Sequence, residues 1–128
     1  MATAQVVTIT EDAVRYPIQK ITWDWLCTDL GVVSSKTVNG VMGKVVKAIL
    51  ASDAGGTAPT NLYDVTIEDD DGADILSGEG ANVTSAATVY IVDPTKVLYC
   101  RSSNITLKIA AAGDAKGGTV ILYILRAV

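Results

Sequence analysis

The sequence predicts an all-β protein: one antiparallel β-sandwich domain, or a jelly-roll-like barrel, of about eight short strands. Three observations predict it. Hydrophobicity alternates with a period of two almost everywhere and with a helical period nearly nowhere. Clusters of Gly, Asp, Asn, Ser and Pro break the chain at intervals of roughly 8–15 residues. The apolar mass is mostly Val, Ile, Leu and Ala, with no Phe, and β-branched side chains suit a pleated surface.

The elements follow in order. Residues 6–10, "VVTIT", open the chain as a strand within an N-terminal arm or edge strand, 1–17, and residues 18–128 form the sandwich. In "KITWDWLC", Ile21, Trp23, Trp25 and Cys27 alternate with Lys20, Thr22 and Asp24, which describes a half-buried strand with two tryptophans on its inner face. Residues 43–51 can be drawn as a helix, but their β-branched content and flanking glycines favour a strand. Tyr63, Val65 and Ile67 alternate with Asp64, Thr66 and Glu68, and Ile105, Leu107 and Ile109 with Asn104, Thr106 and Lys108. Residues 88–92, 96–100 and 119–125 complete the set. Turn chemistry separates them at 38–40 ("VNG"), 52–61, 69–72 ("DDDG"), 77–80, 92–96 and 112–118. No linker, internal repeat or low-complexity tail interrupts the pattern.

Composition narrows the function classes. The net charge is −4 and the isoelectric point near 4.6, which argues against a nucleic-acid or anionic-membrane partner reached by a basic patch. The longest apolar runs fall far short of the roughly 18 residues of a membrane span. The first residues lack a basic stretch followed by an apolar one, so no signal peptide is expected and the chain reads as cytoplasmic in origin. Histidine is absent, which removes Ser-His-Asp and Cys-His relays and histidine-based metal centres. Cys27 and Cys100 are too few for a disulfide framework or a four-cysteine zinc site; they read as buried thiols, with a single late disulfide as the alternative.

The most chemical-looking stretch is "YDVTIEDDDGADILSGEG", with Glu68, Asp69, Asp70, Asp71 and Asp74 close together. An EF-hand alignment with Gly72 at loop position six puts Ile67 at position one and Gly78 at position twelve, so two ligands fail and Glu79 falls one residue late. A hairpin explains the stretch more simply: residues 63–68 run out, 69–72 turn, and 73–76 return. Asp bonds its own backbone in turns, Gly accepts positive φ, and adjacent carboxylates stay solvated at a tip. A shared divalent ion at residues 69–71 is the weaker reading. Acid–base catalysis is weaker still, because nothing apolar is present to raise one carboxyl's pKa. "GVMGKV" at 40–45 has the wrong spacing for a phosphate loop, with Val45 where Ser or Thr should stand. Trp23 and Trp25 read as core before they read as a stacking platform. No enzyme, cofactor or small-molecule substrate is expected.

One segment departs from the half-buried rule. In "TVILYILRAV" both Val120, Leu122, Ile124 and Ile121, Tyr123, Leu125 are apolar. Such a strand is either central in a two-layer core or covered by another molecule, and the chain's mean hydropathy of +0.35 favours an oligomer.

The block "GGTAPTNLYDVTIEDDDGADILSGEGAN" (55–82), preceded by "KITWDW" and followed by "AAAGDAKGGTVILYIL" (110–125), resembles small virion structural proteins of tailed bacteriophages. The likeness runs from about residue 20 to the end and carries no active-site residue. It implies a virion protein, assembled in the bacterial host cytoplasm and similar to capsid decoration or cement proteins. Such a protein is a β-rich homotrimer that binds the major capsid protein lattice and stabilises the head. The alternative is a neck, tail or baseplate fibre module that contacts a host receptor or glycan. The expected oligomer or capsid interface is Val6, Val7 and Ile9 of the arm, which can add as an edge strand, with Val120, Leu122 and Ile124 of the last strand.

Overall fold

A computed structural model describes residues 5–12, 18–76, 78–91 and 99–126. Seven strands are present among them: β1 (Val6–Asp12), β2 (Ile18–Leu26), β3 (Val33–Ser52), β4 (Asp64–Glu68), β5 (Val89–Ile91), β6 (Tyr99–Ala110) and β7 (Gly117–Arg126), with one 3-10 turn at Gly55–Thr57. Every pairing is antiparallel, in the order β1-β2-β7-β3-β6-β4, and β5 also pairs with β3.

The long strand β3 makes this ladder a sandwich. Its first part pairs with β6 from Val33 to Lys44, and its last part pairs with β7 from Gly43 to Ser52. Gly43 has a partner on each side, Cys100 and Arg126. It sits at φ 144° among register shifts at Val38/Val41, Val41/Gly43 and Val45/Lys47. Bulges bend a strand and increase its twist, and a glycine supplies the unusual φ at the bend. β3 therefore passes from one layer, β1-β2-β7-β3-β5, into the other, β3-β6-β4.

The alternation read from sequence decides which faces meet. Ile21, Trp23 and Trp25 of β2, Val120, Leu122 and Ile124 of β7, and Ala48 and Leu50 of β3 are all buried. They face Val33 and Val38 of β3, Val65 and Ile67 of β4, and Ile105, Leu107 and Ile109 of β6 in one cluster. Trp23 pairs with Val120 and Trp25 with Gly118. A Cβ added at Gly118 would lie 2.9 Å from Trp25 Cζ2 and 2.5 Å from the Ala51 carbonyl oxygen, so only glycine leaves room for the indole. Trp25 then contacts Tyr63 beside the opposite layer, with ring centroids 5.7 Å apart. The Tyr63 hydroxyl is 2.8 Å from Ser52 Oγ.

Three expectations need correction. "VNG" at 38–40 is not a turn; it lies inside β3, between partners Ile105 and Ser103, because a bulge uses the same small polar residues as a hairpin. Residues 73–76 do not return as a strand. They make one bridge, Glu68 to Asp74, and then curl inward with Ile75 and Leu76 buried. Residues 99–100, the described end of the strand expected at 96–100, and the strand expected at 105–109 form one continuous element, β6, so the described strands number seven, in keeping with the about eight expected. The turn expected at 92–96 lies outside the described residues, as do 1–4 and 13–17 of the N-terminal arm.

Candidate interaction surfaces

The acidic stretch is built around its own backbone. Asp69 Oδ1 accepts hydrogen bonds from the N–H groups of Asp71 (2.9 Å) and Ala73 (3.0 Å), and Gly72 N–H donates to the Asp69 carbonyl at 3.0 Å. Gly72 takes φ 80°. Asp74 does more: Oδ1 accepts from Ile67 N–H at 3.2 Å and Leu76 N–H at 3.0 Å, and Oδ2 accepts from Gly78 N–H at 2.8 Å. That carboxylate ties β4 to the loop that follows. Asp64 Oδ1 holds the far end of the loop through Asn82 N–H at 2.9 Å. Glu68 pairs with Lys108 at 2.9 Å. Among the described residues no group of three or more Cys, Asp or Glu is placed to hold a metal ion.

Cys27 is a buried free thiol. Its Sγ donates to the Gly113 carbonyl at 3.0 Å and accepts from Lys116 N–H at 3.2 Å, which fastens the connection between β6 and β7 to the end of β2. Burial pushes the thiol pKa above its ordinary 9.0, against the lowering effect of the Lys116 backbone bond. The Cys100 side chain lies outside the described residues.

The residues expected at an interface fall into two groups. Val120, Leu122 and Ile124 are at most 1% exposed in the single chain and face the other layer. They correct the expectation, since a side chain with no surface makes no contact with a second molecule. Both faces of β7 are apolar, so the alternation alone does not tell inside from outside; pairing Val120 and Leu122 with Trp23 and Ile21 does. Val7 and Ile9 pack partly against the core opposite Trp25 and Trp23, whereas Val6 is 60% exposed. β1 pairs with β2 along Val6–Asp12, and among the described residues no strand covers its other edge.

The surface that β7 does supply is the outward face of the five-stranded layer. The register lays its side chains out in rows: Lys20, Tyr123 and Lys47; Thr22, Ile121, Ile49 and Tyr90; Asp24, Thr119 and Ala51. Tyr90 is 61% exposed and Leu125 40%. Lys47 Nζ lies 5.3 Å from the Tyr123 ring centre and 5.8 Å from that of Tyr90, and Lys20 Nζ lies 5.8 Å from Tyr123 on its other side. At about 0.5–1 kcal/mol each, such contacts hold the cations in place more than they stabilise the fold. A shallow depression of about 260 Å³ opens at the other end of the face, lined by Val6, Thr8, Asp24, Leu26 and Asp53 with Trp25. Sequence reasoning missed this Tyr–Lys ladder because its members lie on four strands, β2, β7, β3 and β5. The polar–apolar alternation of β2 and β3 was the available signal, and it becomes a surface only through the register.

These features define an antiparallel β-sandwich with, among its described residues, an unpaired strand edge at β1 and a broad outward sheet face. No protein-family model matches the chain, and no curated protein matches it. Among solved structures it is similar to a family 35 carbohydrate-binding module from Clostridium thermocellum, at 13% identity and a TM-score of 0.38, over 99% of this chain and 92% of that one. A likeness that slight transfers nothing about ligand or role.

Proposed function

We propose that the chain is a non-enzymatic virion structural protein of a tailed bacteriophage, a capsid decoration or cement protein that binds the major capsid protein lattice and stabilises the head. The resemblance of residues 55–82 and their flanks supports the virion role. The observation that carries the mechanism is the edge of β1: seven residues of extended backbone, hydrogen-bonded to β2 on one side and met by no strand among the described residues on the other, with Val6 exposed at its end. Such an edge accepts an extended segment of another protein by main-chain pairing. Binding only the assembled lattice stabilises that lattice by mass action.

The test is copy number. Purified virions are quantified by stained gel or particle reconstruction, and purified protein is added to expanded capsids that lack it. The proposal expects many copies in fixed ratio to the capsid protein and saturable binding. A few copies at the neck or tail would favour the fibre-module reading, and no association with particles would end the virion reading.

A further inference from the structure

The outward face of the five-stranded layer has a charge order along its strands. Lys20 and Lys47 stand at one end with Tyr123 between them. Asp24 stands at the other end, and Asp53 lines the depression beside it. Between them runs the uncharged row of Thr22, Ile121, Ile49 and Tyr90. On β2 the cation and the carboxylate lie two residues to either side of Thr22, so along the central strands the charge reverses about an uncharged middle row, while Asp12 of the edge strand β1 stands beside Lys20 in the register.

We infer that this face is a homodimer interface, closed on a second copy of the same chain by a two-fold axis lying along the Thr22–Ile121–Ile49–Tyr90 row. Symmetry decides the arrangement. Two sheets that pack face to face about a two-fold axis have that axis in the plane of contact. An axis along β7 would set Lys20 of one copy against Lys47 of the other, like charge on like. An axis across the strands sets Lys20 against Asp24 of the second copy, twice, and brings Lys47 toward Ala51 and Asp53 of the second copy. Tyr123 then meets Thr119, hydroxyl to hydroxyl, while Ile121, Ile49 and Tyr90 each meet their own symmetry mates. The contact is self-complementary and closes without leaving a free copy of itself. Like-charge contact also rules against the competing alignment more strongly than the opposite-charge pairs bind.

The size of the face places the contact among weak interfaces. Five strands about 4.8 Å apart and about eight residues of strand length give roughly 500 Å² per copy, or about 1,000 Å² in all. That is near the lower bound for a specific interface, a size typical of weak, reversible association, so a dissociation constant of the order of micromolar or weaker is expected. This inference does not depend on the virion reading, and it puts a two-fold dimer in place of the expected homotrimer.

The full chain is examined by sedimentation equilibrium up to the order of 100 µM. A monomer–dimer equilibrium is expected. Lys20→Asp alone and Asp24→Lys alone each place like charges across the axis twice, and each raises the dissociation constant about tenfold or more. The double variant Lys20→Asp with Asp24→Lys exchanges the charges and returns the constant to within about threefold of the parent. Asp24 is exposed, so its variant folds, and circular dichroism checks each protein. A monomer throughout, a trimer, or a double variant as weak as the singles would overturn the assignment.

Discussion

Replacing Asp74 with alanine is the sharpest probe of the acidic stretch. Its carboxylate accepts three backbone N–H groups, two of them partly buried (Ile67 and Leu76) and one exposed (Gly78). An unpaired, partly buried donor costs about 1–1.5 kcal/mol here, and an exposed donor that turns to water about 0.5. The sum for Asp74→Ala is about 3 kcal/mol, a large share of a typical domain's stability. For a chain of this length that lowers Tm by about 10 °C. Asp74→Asn keeps one acceptor oxygen for the two Oδ1 bonds and loses the bond to Gly78, so about 1 kcal/mol is expected. Asp71→Ala, at an exposed position of the same turn, should stay within about 0.5 kcal/mol of the parent. Urea and thermal unfolding measure all three. If Asp74→Ala were no worse than Asp71→Ala, the view of the loop as a backbone clamp would be wrong.

Gly118→Ala drives a methyl against the Ala51 carbonyl oxygen and the Trp25 ring; it should cost about 2–3 kcal/mol in urea unfolding, and a neutral result would contradict the packing described. Burial raises the Tyr63 hydroxyl above its ordinary 10.0, as it does the Cys27 thiol above 9.0. Both groups hold their protons more tightly folded than unfolded, so their contribution is complete below about pH 9 and is lost as pH rises through the folded values. Stability measured from about pH 8 to 11 should fall along that limb, and Tyr63→Phe with Cys27→Ala should flatten it. Lys108→Ala removes an ion pair whose partners are 47% and 30% exposed; salt-screened and solvated, it should change stability by less than about 0.5 kcal/mol.

The inward faces were legible in the sequence wherever polar and apolar residues alternate cleanly. Ile21, Trp23, Trp25 and Cys27 are all buried, as are Val65 and Ile67, and Ile105, Leu107 and Ile109. Two kinds of feature were not legible. In β7 both faces are apolar, so the distinction between Val120 and Ile121 depends on which neighbours the strand acquires, and that is non-local. At 38–40 the residues of a bulge and of a hairpin coincide, so a strand running through Asn39 and Gly40 looked like a turn ahead of the strand at 43–51. The candidate surface shares the first difficulty, since Lys20, Tyr123 and Lys47 are neighbours only through pairing across three strands. Asp74 was counted among the acidic residues, but its role as a clamp depends on the inward turn of Ile75 and Leu76, which brings backbone N–H groups to its carboxylate.

A strand common to both layers also governs how the molecule comes apart. Apart from the short pairing of its trailing half with β5, β3 must wait for β6 and β7, some sixty residues further along, for its partners. Long-range pairings of this kind make assembly slow relative to helical proteins. They also bind the layers into one cooperative unit, because peeling away β6 and β4 strips the leading half of the same ribbon whose trailing half anchors β7. The sandwich therefore has no separable half to shed under load, and it yields as a whole or stays intact.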